Sequence, residues 1–291
     1  MRVLSAFILC LSLAACVASA GDTPEAPEHQ RFPTSIDYPP GTMERISFTA
    51  AVPEAWRISA LTTPERLQAD WKIVIITGTP SWSEYWAPTI AALPDNREMI
   101  VADRPGFRDS EPEDAVRDIS KQADALSPML AAREGQRVLL VGQSFGAPVA
   151  TLMGDRYADQ VDAIVLVSPF FGDRGPTARR LYGVGRIARP FLPRDLKNSI
   201  SEITAQNGQL PAAFDALRRL EQPVLIVHGD NDSFVPFAAA QRISTEYARP
   251  FAEIRAGDHF LNACCVNDLV AAFERAIAEA EAADQRPSPL R

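Results

Sequence analysis

The chain has 291 residues, of which 46% are hydrophobic and 23% are charged. That length and composition are typical of one large α/β domain with an inserted lobe, or of two ordinary soluble domains. Lysine and arginine number 29 against 37 aspartates and glutamates, and the resulting net charge of −8 argues against a nucleic-acid-binding protein, which would present a basic face.

The first residues predict a secretory signal and not a part of the folded domain. Met1-Arg2 supplies a short positive region, and the apolar run at 3–15 is too short to span a bilayer as a permanent helix. The end of that run, Leu13-Ala14-Ala15-Cys16, resembles the lipobox of bacterial lipoproteins. This resemblance implies a signal peptide over 1–15 and a lipid-modified Cys16 that anchors the protein to a membrane of the bacterial cell envelope. Ala18-Ser19-Ala20 leaves open cleavage by the ordinary signal peptidase, which would give a secreted or periplasmic soluble protein.

The elements that follow alternate between strands and helices. Residues 16–41 are rich in proline, and their apolar residues have almost no periodic spacing, so we predict a disordered tether there. Apolar runs predict strands at 46–49, 57–61, 71–76, 98–102, 138–141, 163–167, 223–228 and 252–254. Helical spacing predicts helices at 83–93, at 113–133 with a kink at Pro128, and at 147–157, 237–247 and 266–283. The alternation predicts a mostly parallel sheet with helices on both faces and an antiparallel edge at its start. This core is predicted over 42–169 and 221–284, and a flexible tail is predicted at 285–291.

The alternation is interrupted after the strand at 163–167, where residues 170–220 predict a small inserted helical cap. Seven arginines and lysines lie between Gly172 and Lys197, against two aspartates. This excess has two interpretations: an ordinary solvated helical face, or a surface that attracts anionic substrate or lipid head groups.

The strongest chemical signal is Gly142-Gln143-Ser144-Phe145-Gly146, which has the spacing GxSxG and follows an apolar strand. Small residues on both sides of a serine allow a sharp strand-to-helix turn that presents its side chain outward. Pro148 suits the first turn of the helix that follows. Ser144 is therefore the candidate nucleophile.

A serine nucleophile requires a general base and a group that orients the base. The chain has three histidines; His29 lies in the tether, and His228 ends a buried strand, where a bond to backbone is expected. His259 lies in a loop after the last strand and is the candidate base. The orienting acid is predicted in the loop 229–236, where Asp232 is preferred because Asp230 is placed to bond local backbone as a turn residue.

The order Ser144, Asp232, His259 resembles that of the α/β-hydrolase superfamily, and the resemblance runs from Trp71 to Ala283. Residues 77–80 resemble its HGxP loop, residues 103–107 its DRPGFG loop, and residues 229–236 its GDxDxxVP acid loop. Membership implies the α/β-hydrolase fold. It also implies an oxyanion hole formed by the backbone N–H groups of Thr79 and Phe145.

The chain departs from the family pattern at three positions. Thr77 stands where the family usually has histidine, Arg108 replaces the last glycine of DRPGFG, and Ala147 replaces a second glycine found in many members. None of these departures removes a catalytic group, but the first implies that the loop carrying Thr79 is braced differently. The serine at position 144 argues against epoxide hydrolases and dehalogenases, which use aspartate there.

These residues predict a cell-envelope serine hydrolase that cleaves small-molecule carboxylic esters through an acyl-enzyme and needs neither metal nor cofactor. The cap would cover the site, with Trp82, Phe170 and Phe171 as walls of the substrate pocket. Three alternatives remain: an amide, lactone or carbon–carbon bond hydrolase, a cofactor-free haloperoxidase of the same fold, or a non-catalytic lipoprotein that only binds.

Cys264 and Cys265 are adjacent and follow His259 by five and six residues. No disulfide framework or zinc site can be built from such a pair alone. Two interpretations remain open: a pair of free thiols, or a strained vicinal disulfide formed in an oxidising envelope.

Overall fold

The computed structural model describes residues 33–284, and within that part eight strands form one sheet. The strands are β1 (Glu44–Thr49), β2 (Arg57–Thr62), β3 (Trp71–Ile76), β4 (Arg97–Ala102), β5 (Arg137–Gln143), β6 (Ala163–Val167), β7 (Val224–Gly229) and β8 (Phe251–Ile254). The predictions for the signal peptide 1–15, for Cys16 and for the tail 285–291 lie outside the described residues.

The sheet has the strand order β1-β2-β4-β3-β5-β6-β7-β8. Neighbours from β4 to β8 are parallel, whereas β1 pairs antiparallel with β2 and β2 with β4. The predicted mostly parallel sheet with an antiparallel edge is confirmed. Because β3, β5, β6, β7 and β8 run in one direction, the loops after them gather at one edge of the sheet, where ligand sites of open α/β folds form.

Helices cover both faces of the sheet, as predicted. They are α1 (Ala87–Ala91), α2 (Ile119–Leu126), α3 (Gly146–Arg156), α4 (Pro176–Ala188), α5 (Arg194–Gln206), α6 (Leu210–Arg219), α7 (Phe237–Glu246), α8 (Leu261–Cys264) and α9 (Val266–Asp284). Val74 and Ile76 of β3 pack with α2, α3 and α6, while Ile73 and Ile75 pack with α1 and α9, because successive strand residues face opposite sides. None of the helices within residues 33–284 is long and apolar enough to cross a membrane.

The helix predicted at 113–133 is shorter in the structure. It begins after Asp118, whose side chain accepts hydrogen bonds from the N–H groups of Ser120 and Lys121 and so caps the first turn. After Leu126 the chain continues as a short 3-10 helix that contains Pro128, which has no N–H to donate to an α-helical bond. The apolar spacing upstream of Asp118 is therefore not helical.

The segment predicted as a disordered tether extends to residue 41, but its last part is ordered against the core. Residues Ser35–Asp37 form a 3-10 helix, and the Ser35 N–H donates to Glu84 at 2.7 Å. Tyr38 packs against the apolar core on the α9 side. The ordered chain thus begins upstream of the predicted boundary, because proline-rich composition does not reveal such contacts.

The cap predicted over 170–220 contains α4, α5 and α6. The helices α4 and α5 pack on each other, whereas α6 packs on α3. Leu210, Ala213 and Leu217 of α6 are buried in the core on that face of the sheet. The predicted boundary therefore assigns α6 to the cap although its apolar face belongs to the core, because an amphipathic pattern does not reveal which neighbour it covers.

Candidate active site

Ser144 occupies a sharp turn between β5 and α3 and has a φ of +52°, a conformation that residues other than glycine seldom adopt. The flanking glycines make this turn possible. A Cβ on Gly146 would lie 2.1 Å from the carbonyl oxygen of Ile76, and one on Gly142 would lie 2.7 Å from Ala147 Cα. Packing thus requires glycine at both positions of GxSxG, and Gly146 allows the serine turn to lie against β3.

The structure brings together the three residues predicted to act as nucleophile, base and acid. His259 Nε2 lies 2.9 Å from Ser144 Oγ, and His259 Nδ1 lies 2.7 Å from Asp232 Oδ2. The other oxygen of Asp232 accepts hydrogen bonds from the N–H groups of Phe234 and Val235 at 2.7 and 2.9 Å. All three catalytic candidates are buried, so their mutual contacts are shielded from water.

The electrostatics of Asp232 favour its ionised form. Burial raises the pKa of the carboxyl group, but the charge and hydrogen bond of His259 and the backbone donor at Val235 outweigh it, so the pKa lies below its ordinary value. Asp232 is therefore a carboxylate at neutral pH and can orient His259. Asp230, the less favoured candidate, is exposed, and its N–H donates to the Ile254 carbonyl.

The loops that carry the acid and the base are held together by direct backbone contact. The Asn231 N–H donates to the carbonyl of Gly257 at 3.0 Å. A Cβ on Gly229 would lie 2.1 Å from the same oxygen, so only glycine permits this approach. Pairing of β7 with β8 thereby sets the distance between Asp232 and His259.

His228 has the backbone partner that the sequence led us to expect. Its Nδ1 lies 2.9 Å from the Gly229 carbonyl oxygen, and its Nε2 is 3.6 Å from Asp232 Oδ2. Burial lowers the pKa of His228, so the ring is neutral at neutral pH. It packs behind the carboxylate and does not contact Ser144.

The loop that carries Thr79 is braced although Thr77, and not a histidine, precedes it. The Gly78 N–H donates to Gln143 Oε1 at 2.9 Å, and Arg104 Nη2 donates to the Gly78 carbonyl at 2.8 Å. Because a trans peptide holds its C=O and N–H in opposite directions, the arginine bond also orients the Thr79 N–H. Among residues 33–284 no acceptor is found for the N–H of either Thr79 or Phe145. Thr77 is buried and its hydroxyl has no partner among those residues, so it contributes no such brace.

A buried ion pair connects this loop to the cap. Glu202 of α5 accepts hydrogen bonds from Arg104 at 2.7 and 3.0 Å, from Gln122 at 2.7 Å and from the Thr79 hydroxyl at 2.8 Å. Neither charged side chain is exposed at all. The Arg104 guanidinium also lies 4.9 Å from the centroid of the Phe145 ring, beside the serine. A single arginine thus contacts both segments that carry the predicted oxyanion donors.

Sequence analysis did not find Gln143, Gln122 or Glu202. A signal existed only for Gln143, a polar residue between the apolar strand and Ser144. Glu202 lies in an amphipathic helix, where a glutamate normally faces solvent, and its partners are 80–123 positions away. Only tertiary packing reveals its burial.

The predicted pocket residues have different surroundings. The Phe170 N–H donates to the Ser144 carbonyl at 3.1 Å, which places this residue beside the nucleophile. Trp82 is half-buried, and the guanidinium of Arg108 lies 5.0 Å from the centroid of its ring. Phe171 instead stacks on Phe214 in the core, with ring centroids 5.1 Å apart, so packing occupies its ring. Arg108 has a φ of +47°, in keeping with the glycine usual at that position.

Cys264 and Cys265 are joined as a disulfide at the end of α8. The same helix is fixed to the core by Asn262, whose side chain donates to the Tyr85 carbonyl at 2.7 Å. The cysteine pair therefore lies in the segment that leads from His259 into α9.

A serine, a histidine and an aspartate gathered at the carboxyl edge of a mostly parallel sheet define a hydrolase-type site on an α/β fold. Residues 73–272 match the profile of the Alpha/beta hydrolase family, and the chain belongs to this family. The predicted α/β-hydrolase fold is thereby confirmed.

Comparison with individual proteins gives more distant likenesses. Half of the chain, 149 residues, is 27% identical to the lysophosphatidylserine lipase ABHD12 of Danio rerio, and the match spans 38% of that protein's length. An esterase from Thermogutta terrifontis has a TM-score of 0.64 at 17% identity, covering 81% of this chain and 99% of the esterase. A bacterial membrane phospholipase A has a TM-score of 0.63 at 19% identity, covering 96% and 99%. At these identities the two structures show the shared fold alone.

Proposed function

We propose that the protein is a serine hydrolase that cleaves carboxylic esters through an acyl-enzyme, with Ser144 as nucleophile, His259 as general base and Asp232 as the group that orients it. The observation that carries the proposal is the unbroken contact from Ser144 Oγ to His259 and from His259 to Asp232, at 2.9 and 2.7 Å. These distances lie within hydrogen-bond reach, which proton transfer requires.

In the proposed reaction Ser144 Oγ attacks the ester carbonyl carbon and its proton passes to His259 Nε2. The tetrahedral intermediate collapses, the ester C–O bond breaks, and the alcohol leaves with the proton from Nε2. Water then attacks the acyl-enzyme, gives its proton to the same nitrogen, and releases the acid while Ser144 recovers its proton. The Asp232 carboxylate stabilises the imidazolium that forms in each half of the reaction.

The negative oxygen of each intermediate would be held by the N–H groups of Thr79 and Phe145. Each N–H needs a fixed direction for this role, and the Arg104 bond to the Gly78 carbonyl supplies it for Thr79. One such donor contributes about 3–4 kcal/mol to transition-state stabilisation. We therefore count Arg104 and Glu202 as positioning residues that act through the Thr79 peptide.

Two features support a choice of substrate class: the residues near Ser144 and a relative of known activity. Phe170, whose N–H bonds to the Ser144 carbonyl, and the half-buried Trp82 are the apolar residues that we propose line the site for an acyl chain or alcohol group. The relative from Danio rerio is named for a lipase activity on lysophosphatidylserine, which places single-chain lipid esters among the substrates to test.

We further propose that the protein is a lipoprotein of the bacterial cell envelope, anchored through Cys16. Replacement of Cys16 by serine is expected to move it from the membrane fraction to the soluble fraction with unchanged turnover of soluble esters. A soluble wild-type protein with an N-terminus at Gly21 would instead support cleavage after Ala18-Ser19-Ala20.

The decisive experiment is labelling with a fluorophosphonate probe, followed by turnover of p-nitrophenyl esters of rising chain length and of a lysophospholipid. Labelling and turnover are expected for the wild-type chain and absent in Ser144→Ala, whose fold should be unchanged because one oxygen is removed at a turn. Ser144→Ala and His259→Ala should each lose almost all activity, and the losses should not add. Labelling without ester turnover would favour an amide, lactone or carbon–carbon bond hydrolase or a haloperoxidase; failure to label would favour a binding protein.

A further inference from the structure

The cap exposes large apolar side chains to solvent along one line. Val184 and Ile187 of α4 are 55% and 85% exposed, and Phe191, just beyond that helix, is 90% exposed. Their spacing of three and four residues places them on one side of the helical segment. Five large apolar side chains in residues 33–284 are at least 55% exposed, and three of them lie within these eight positions. A cluster of this kind marks an interaction surface.

The same segment is strongly basic. From 174 to 194 the sequence has six arginines and neither aspartate nor glutamate, in a chain whose net charge is −8. The exposed members that flank the apolar line are Arg179, Arg180, Arg186 and Arg189. Within residues 33–284 none of these four forms a salt bridge, whereas Arg194 pairs with Asp195. We call Val184, Ile187, Phe191 and these four arginines the cap face.

A cleft beside the cap face collects further cationic groups. It has a volume of about 450 Å³ and is lined by Arg117, Arg186 and Arg189, with the hydroxyl-bearing residues Ser201 and Thr204. Arg189 Nη2 donates to Ser201 Oγ at 2.9 Å, which holds its guanidinium at the wall of the cleft. The guanidinium groups around a cleft of this size suit the phosphate of a lipid head group, while the two hydroxyls donate to the Lys197 and Ile200 carbonyls within α5. No catalytic residue lines it.

We propose that the cap face docks onto the surface of an anionic phospholipid bilayer. A bilayer interface offers a negative surface for the arginines and an apolar layer for Ile187 and Phe191 at adjacent depths. A soluble polyanion such as a nucleic acid would satisfy the arginines but leave those two side chains in water. The proposal is independent of ester hydrolysis and of Cys16, because it rests only on the surface of α4 and the turn after it.

The test uses the full chain with Cys16→Ser, so that a lipid anchor does not dominate binding, and vesicles of phosphatidylcholine alone or mixed equally with phosphatidylglycerol. Cosedimentation is expected to be several-fold stronger with the mixed vesicles and to fall with added salt. Arg186→Gln and Arg189→Gln should each lower binding about fivefold. Ile187→Ser with Phe191→Ser should lower it further.

The controls are Leu67→Ser, which removes a side chain that is 79% exposed elsewhere, and Arg255→Gln, which removes an exposed arginine outside the cap. Both should bind vesicles as the parent does. All these proteins share one N-terminus, so differences among them report on the cap face alone. Turnover of a soluble ester should be the same in all.

Three outcomes would overturn the proposal: equal binding to both kinds of vesicle, equal losses in control and cap-face variants, or binding to heparin beads without binding to vesicles. The last would assign the arginines to a soluble polyanionic partner. Loss of ester turnover in Ser144→Ala with intact vesicle binding would leave the docking proposal standing, so the two proposals can fail separately.

Discussion

Replacing Glu202 with glutamine tests whether the cap orients the loop that carries Thr79. The carboxylate receives hydrogen bonds from Arg104, Gln122 and Thr79, all directed at its two oxygens. Glutamine has the same shape as glutamate but accepts hydrogen bonds on one oxygen only. Its amide N–H groups would face the donors that now bond to the second carboxylate oxygen. The change also leaves the Arg104 charge buried without a counterion.

The magnitude follows from complete burial of the pair. Both side chains are 0% exposed, so solvent does not screen the loss, and removal of one partner of a buried ion pair typically costs about 3–5 kcal/mol. For Glu202→Gln we expect a loss of unfolding free energy near the lower end of that range. If the Thr79 peptide loses its orientation as well, kcat should fall by up to about 100-fold, the lower range for a lost oxyanion donor.

The assay combines urea unfolding with steady-state kinetics on a soluble ester, under conditions where the variant is folded. The fall should be in kcat with little change in KM, because the donor acts on the intermediate. Glu274→Gln is the matched control: it removes a carboxylate that pairs with Arg97 at 2.8 Å outside the site, so it should lower stability and leave kcat unchanged. A destabilised Glu202→Gln with wild-type kcat would refute the positioning role, and unchanged stability would refute the buried ion pair.

Three further predictions concern the serine turn, the acid and the cysteines. Gly146→Ala should lower the free energy of unfolding by about 1–3 kcal/mol or more, the cost typical of overpacking, because the added Cβ would lie 2.1 Å from backbone. In the same urea titration Gly183→Ala should be neutral or stabilising, because α4 has open space at that position. Because the pKa of Asp232 is lower in the folded chain, its stabilisation is complete above about pH 4 and is lost as pH falls through the folded value. Urea midpoints of wild type and Asp232→Asn should therefore draw closer in acid, and a constant gap would contradict this. A mild thiol should change turnover reversibly in wild type and not in the Cys264→Ser, Cys265→Ser double variant. Alkylation that finds two free thiols in the untreated protein would contradict this prediction.

The sequence by itself determined the sheet and the serine turn. Continuous apolar runs such as 71–76 and 163–167 can be buried on both faces only as parallel strands between helices. Their pattern therefore predicts that they lie in the interior of the sheet. The turn at Ser144 is local as well, since its glycines are needed within the same five residues. The three residues now in contact were found because their order along the chain matches that of the loops at one edge of the sheet.

Only the tertiary structure decided what braces the loop that carries Thr79 and which neighbours the helices cover. The buried carboxylate of Glu202 accepts hydrogen bonds from Arg104 and Gln122, which are distant in sequence, and no local pattern distinguishes this glutamate from a solvated one. The same limit applies to α6, whose amphipathic pattern predicts a buried face but does not reveal that the face covers α3. Local periodicity specifies which side of an element is apolar, whereas the partner of that side is set by the packing of the whole domain.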